Sequence, residues 1–413
     1  MELLIKGAKI VDAEKNVVGD VYIRDGIISE VGLNLNKNCP IIDAKGLTLM
    51  PAFVDTHTHF REPGFTYKED LLTGCMAAVK GGYTTVNLMP NTRPVCSSME
   101  IVEDILRKSK EIGLVDVHQT ISITKDFTGK DISHMDEIQD PVRMITEDGY
   151  DVSDTKVMYD AMAKAKEKGL TIMVHCEEKN IVKVDSRLSE NIMTWRNIEL
   201  AKATRCKVHI AHVSTKESMS YIIEAKKQKQ DITCEIMPHH IALTDELDYR
   251  VNPPLRKKED IEYIIKAIQD GFVDAIGTDH APHSMEDKEK GAPGISGIET
   301  SFSVCYTTLV KGGYITLNQL SALMSKEPAK LMGLNKGLIE PGLEGDIVLV
   351  DLKETHKVVA EDFASKGKNT PFDGMSFSGE VITTIKSGKV VYDNGIFSIN
   401  QGKVILKNWW ISA

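Results

Sequence analysis

His57 and His59 stand two residues apart in Val54-Asp-Thr-His-Thr-His-Phe-Arg61, at the end of an apolar run (Leu47, Leu49, Met50, Ala52, Phe53, Val54). If that run is a β-strand, alternate side chains share a face and the two imidazoles project side by side. Neutral imidazole is among the commonest ligands for zinc and similar ions, so the pair forms half of a metal site. The other half must come from the ends of other strands.

Four further residues meet that requirement. His175 closes Thr171-Ile-Met-Val-His, with Thr171 and Met173 on its face. His212 closes Val208-His-Ile-Ala-His and shares parity with Val208 and Ile210, whereas His209 has the opposite parity and reads as helix-facing or structural. Asp279 ends Val273–Asp279 with small face-mates Ala275 and Gly277, as an inward barrel stripe requires. Asp148 ends the 142–147 run, just before Gly149. Four imidazoles and two carboxylates exceed one tetrahedral site with an open position and suit two metal ions. No Cys-x-x-Cys pair offers a thiolate zinc site; Cys176 reads as a packed thiol, and His118 and His134 as surface or structural.

The positioning elements follow from periodicity. Strands are predicted at 52–57, 83–89, 115–123, 142–147, 170–175, 207–212, 231–237 and 272–278, each followed by a helix. Helix signals include a capping box from Ser97 to Glu100 and a cap at Ser153 or Asp154 before Val157, Met158, Ala161, Met162 and Ala165. A third helix carries the Ile261, Ile264, Ile265, Ile268 stripe and stops at Gly271. Eight such units predict an α/β fold, a (β/α)8 TIM-like barrel whose chemistry lies at the strands' C-terminal ends. Residues 1–51 and 341–413 read as β segments that pair into a small β-sandwich domain, leaving 52–340 as the barrel.

The 413 residues are 42% apolar and 27% charged, with net charge −10, the balance of a globular chain with a large core. No basic block marks a nucleic-acid surface, and no apolar run is long enough for a signal core or a membrane span. Seven scattered cysteines fit free thiols in a reducing cytoplasm.

With these residues in place, the chain resembles the amidohydrolase superfamily, specifically bacterial class I dihydroorotases. The resemblance rests on His57-Thr-His59-Phe-Arg61-Glu-Pro-Gly64, Met89-Pro-Asn91-Thr-Arg-Pro94, Glu147-Asp-Gly149 and His175-Cys-Glu177. It continues through His212–Glu217, Pro238-His-His240, Asn252-Pro-Pro-Leu-Arg256, Thr278–His283 and Lys366–Pro371. It implies reversible cyclisation of N-carbamoyl-L-aspartate to L-dihydroorotate plus water. It also implies two divalent ions, with zinc expected: His57, His59 and Asp279 on one, His175 and His212 on the other, and Asp148 bridging. Asp279 serves as proton acceptor and donor. The substrate carboxylate falls to Arg61, Asn91 and His283, with His59 also at the substrate and Asn252 at the ring. Arg61 has the parity of the histidines, and its planar fork matches a carboxylate bidentately.

Many superfamily members bridge their ions with a carboxylated lysine; residues 142–149 contain none. The 176–211 segment is shorter than the class leads one to expect, and Pro293 stands where an aromatic is common. The charged, glycine-bearing loop 284–297 is a candidate cover for the substrate. A homodimer is expected, and association with aspartate transcarbamoylase is a further expectation. The competing readings are an allantoinase- or hydantoinase-type enzyme and a non-catalytic scaffold. A scaffold is expected to have lost ligands, and all six are present.

Overall fold

The computed structural model describes residues 1–399 and Val404–Ile405; 400–403 and 406–413, the rest of the expected C-terminal β segment, lie outside the described residues. Eight parallel strands succeed one another round a barrel. They are β1 (Phe53–Thr58), β2 (Tyr83–Leu88), β3 (Asp116–Gln119), β4 (Met144–Thr146), β5 (Thr171–Val174), β6 (Lys207–Ile210), β7 (Ile232–Ile236) and β8 (Ala275–Ile276). β3 breaks at Thr120 and resumes at Ile121–Ser122, which pairs with β4. A bridge between Thr58 and His280 joins β1 to the chain leaving β8.

Outward side chains such as Ile172, Val174, Val208, Ile210 and Ile236 pack under the helices in one large core. Inward, Val54, Met144, Met173 and Ala211 fill the barrel floor with Met89, Ala329 and Met332. Burying a side chain of this size contributes about 1.5–3 kcal/mol. The fold therefore rests on the apolar layers, and the polar residues above the floor are available for chemistry.

The helix from Thr155 to Lys168 is capped by Asp154, which accepts from Lys156 N and Val157 N, and it ends at Gly169 with φ 70°. The helix from Lys258 to Gln269 buries the four-isoleucine stripe. Two local expectations fail. The helix from Met99 to Ile112 starts after Ser98, with no side-chain cap. Ser97 is instead buried and bonds Ser122 Oγ and Asp126 N, so tertiary partners hold the hydroxyl that the capping box needed. The third strand leads not to an α-helix but to two 3-10 turns, Lys125–Phe127 and Ser133–Glu137. Asp126 and Phe127 there take positive φ (53° and 57°), which stops helix propagation.

The terminal segments form one hydrogen-bonded path in which Thr48–Pro51 pairs antiparallel with Ile347–Val350 and parallel with Lys9–Ile10. The expected sandwich is thus realised as a continuous ten-stranded sheet around Ile5, Ile10, Ile23, Leu49, Ile347 and Leu349. Only Ala52 separates Thr48–Pro51 from β1, so this sheet anchors the strand that carries the two histidines. No helix among the described residues is long and apolar enough to cross a membrane.

Candidate active site

All six residues expected as ligands converge at the C-terminal mouth of the barrel. His57 Nε2 lies 3.0 Å from Asp148 Oδ2 and 3.7 Å from Asp279 Oδ1. His59 Nε2 lies 3.1 Å from Asp279 Oδ1 and 3.7 Å from Asp148 Oδ1. Ligand atoms of His57, His59 and Asp279, and separately of His57, Asp148 and His212, lie within 4.8 Å of one another. His175 joins neither triplet; its ring stands 4.4 Å, centroid to centroid, from that of His212.

The donor set fits divalent metal ions on its own chemistry. His57 Nδ1 donates to Glu235 Oε1 at 2.7 Å, and His59 Nδ1 donates to Asn91 Oδ1 at 2.9 Å. Each bond turns Nε2 toward the carboxylates, 3.0 Å from Asp148 Oδ2 for His57 and 3.1 Å from Asp279 Oδ1 for His59, where a metal ion would displace its proton. His175 Nδ1 and His212 Nε2 are buried without a hydrogen-bond partner, a cost that coordination removes. Burial, with His175 and His57 nearby, holds the His212 pKa well below its ordinary value, so the ring favours its neutral form, which has one nitrogen lone pair. Burial opposes ionisation of Asp148 and Asp279, yet the surrounding imidazoles outweigh it and hold both well below the usual carboxylate range.

Strand parity accounts for His175 but not for His212. Val208 and Ile210, its expected face-mates, point outward into the helical layer. The strand ends at Ile210, and a φ of 33° at His212 turns that side chain back inward. His209 consequently faces the interior, not the helices: Nδ1 bonds Thr233 Oγ1 at 2.9 Å and Nε2 lies 3.3 Å from Glu235 Oε2. In β1 the pairing with β2 shifts register between Asp55 and Thr58, where His57 turns inward.

A third acidic group, Asp116, Glu344 and Asp346, already holds an internal cation. Lys336 Nζ lies 3.1, 2.8 and 2.8 Å from the three carboxylates, so this cluster is an ion-pair anchor.

Comparison with known proteins decides the family. The model of the amidohydrolase family matches residues 48–391. A dihydroorotase of Clostridium botulinum is 52% identical, the match covering 95% of this chain and 100% of that protein. The chain belongs to the dihydroorotases of the amidohydrolase family. Dihydroorotases of Acetivibrio thermocellus (39% identical, 94% of this chain and 98% of that one) and Elusimicrobium minutum (39%, 97% and 100%) agree. Among solved structures, dihydropyrimidinase from Brevibacillus agri superposes with TM-score 0.87 at 24% identity, covering 97% of each chain. L-hydantoinase from Arthrobacter aurescens gives 0.87 at 24%, covering 98% of this chain and 97% of that one. These two likenesses describe the fold.

In a dihydroorotase the space beside the candidate metal ligands is where a substrate would be received. A cavity of ≈ 200 Å³ opens there, lined by His59, Asp148, His175 and Asp279 together with Arg61, Asn91, Asn252, His283, Pro293 and Gly294. Asn91 is committed on both sides: Oδ1 accepts from His59 and Nδ2 donates to Asp148 Oδ1 at 2.9 Å. One N–H of that amide remains for a ligand. Asn252 Nδ2 donates to Glu177 Oε2 at 2.7 Å. Gly294 (φ 139°) forms the wall opposite; a Cβ there would sit 2.7 Å from the Ala281 carbonyl oxygen. The 284–297 segment carries a short helix, Met285–Glu289, and Lys288 Nζ donates to the carbonyls of Arg250, Ala292 and Gly294, each at 3.0 Å.

Sequence reasoning missed Glu235, Asp55 and Asn369. Glu235 accepts from Thr56 Oγ1 as well as His57. Asp55 accepts from His57 N, Thr278 N and Thr278 Oγ1, tying the ends of β1 and β8 together. Asn369 Oδ1 accepts from His283 N at 2.9 Å and Nδ2 donates to Gly294 O at 3.1 Å. A buried carboxylate in mid-strand was the available signal for Glu235. Asn369 lay within a quoted motif without a role.

Proposed function

We propose that this chain catalyses the reversible cyclisation of N-carbamoyl-L-aspartate to L-dihydroorotate and water, using two divalent ions, zinc being expected. The observation that carries this reading is Arg61. Its guanidinium reaches the cavity, donates to Pro282 O at 3.3 Å, lies 3.3 Å from His283 Nε2, and has no paired carboxylate among the described residues. A desolvated cation beside a metal cluster calls for an anionic ligand, and its planar fork suits a carboxylate.

Bound at His57, His59, Asp148, His175, His212 and Asp279, the ions would supply Lewis acidity, polarising the ring carbonyl and lowering the pKa of water to about 7. In ring opening, Asp279 accepts the proton of the attacking water and returns it to the departing ring nitrogen as the C–N bond breaks. Arg61, His283 and the spare N–H of Asn91 hold the substrate carboxylate, and Asn252 faces the ring. Closure runs the same steps in reverse. Gel filtration of the purified chain, alone and with aspartate transcarbamoylase, tests the expected homodimer and that association.

Metal analysis coupled to assays with dihydroorotate, allantoin and hydantoin tests the reading. Arg61→Met is expected to keep its metals and lose more than about tenfold in kcat/KM for dihydroorotate, about 1.4 kcal/mol. An unchanged value, or preference for hydantoin, refutes the assignment.

The chemistry also fixes a pH dependence. Carbamoyl aspartate carries two carboxylates and dihydroorotate one, so closure takes up a proton and lower pH favours the ring. The equilibrium ratio reached with the enzyme between about pH 6 and 8 should shift roughly tenfold per unit. A constant ratio excludes this reaction.

A further inference from the structure

We propose that Lys68 is a positioning residue for substrate recognition: it sets the tautomer of His283 so that Nε2–H becomes a second donor to the carboxylate held by Arg61. The proposal rests on the reading that Arg61 and His283 face that carboxylate.

His283 stands between two cations. Lys68 Nζ lies 3.3 Å from Nδ1, and an Arg61 terminal nitrogen lies 3.3 Å from Nε2. Ammonium and guanidinium groups only donate, and a neutral imidazole has one acceptor nitrogen. It can therefore satisfy one of them. When Lys68 donates to Nδ1, the ring proton sits on Nε2, and Nε2–H and the Arg61 N–H groups both face the cavity as donors. A carboxylate between them resolves the conflict by accepting from both. Without Lys68 the ring can take the other tautomer, in which Nε2 accepts from Arg61 and the pair satisfies itself at the substrate's expense.

The surroundings support this arrangement. Burial, then Arg61 and Lys68, bring the His283 pKa down to about 3, which keeps the ring neutral. The Lys68 ammonium is held by Asp287 Oδ2 at 3.3 Å and lies 5.6 and 5.5 Å from the ring centroids of Phe65 and Tyr67. Its side chain is 15% exposed, and its backbone N–H donates to Phe65 O at 2.8 Å. Asp287 lies 4.0 Å from His283 Nδ1, an acceptor ready for that nitrogen's proton once Lys68 is gone.

Steady-state kinetics of the metal-loaded enzyme with dihydroorotate test the proposal. Lys68→Met should raise KM at least about tenfold with kcat within about twofold, and Lys68→Arg, which keeps a donor, should recover most of the loss. In a His283→Ala background, Lys68→Met should add no further KM effect, because the two act as one unit. An additive effect in the His283→Ala background overturns the proposal in favour of a latch on the 284–294 segment. A wild-type KM for Lys68→Met also overturns it, while leaving the Arg61 reading intact if Arg61→Met and His283→Ala raise KM. If none of the three variants moves KM, the carboxylate reading itself fails.

Discussion

Asp148→Ala is expected to lose binuclear metal binding and with it roughly a thousandfold or more in kcat, because metal-ion catalysis supplies several kcal/mol. Asp148 presents both oxygens to the cluster: Oδ2 lies 3.0 Å from His57 Nε2, and Oδ1 lies 3.7 Å from His59 Nε2 while accepting from Asn91. Its stem is short, so the backbone must come close; Gly149 follows with φ 90°, a conformation that suits glycine. Neighbouring Glu147 points away and accepts from Thr124 N at 2.8 Å and from the Thr124 hydroxyl. Glu147→Ala should therefore keep its metals and cost about 1–3 kcal/mol of stability for the orphaned Thr124 amide. Among the described residues no lysine lines the cavity. Lys156, the first lysine after Gly149, has a side chain 77% exposed and paired with Asp160 at 2.6 Å. Metal-depleted enzyme should recover full activity with metal alone. A strict bicarbonate requirement, or about 44 Da of added mass on a lysine, would falsify the aspartate bridge.

Asp279→Asn should lower kcat by roughly 10²–10⁴-fold in both directions, the usual contribution of a positioned acid–base group. The amide is close to isosteric but cannot shuttle a proton between water and the ring nitrogen. Asp279 sits at φ 46° just beyond β8, with Oδ1 3.1 Å from His59 Nε2. Its neighbour Thr278 is fixed by two bonds to Asp55. That fixed backbone and the apolar barrel floor should leave the fold intact, which circular dichroism and thermal unfolding would register. Activity within tenfold of wild type in both directions would move the proton transfer to another group.

The candidate ligands were legible because His and Asp are metal-binding side chains, and a (β/α)8 barrel displays them at strand ends. The apolar runs located all eight strands, since inward and outward faces of a barrel are both buried. Helix ends were legible where the cap bonds its own helix, as at Asp154, and illegible where a tertiary partner took the side chain, as at Ser97.

By itself the sequence determined which residues could bind metal, the barrel with its flanking β segments, and the absence of a lysine from residues 142–149. Each follows from local composition and period. Only the tertiary structure decided how the side chains aim. His212 was selected on a parity with Val208 and Ile210 that does not orient it; the turn at φ 33° does. His209, set aside on the same parity, lies inside the barrel against Glu235, and Glu235 fixes the ring of His57. Lys68 and Asn369 lie 215 and 86 residues from His283 in the chain, yet the three meet beside the cavity. Periodicity holds only while the backbone stays regular. At the strand ends the chain leaves the sheet, and there contacts between distant segments set the direction of each side chain.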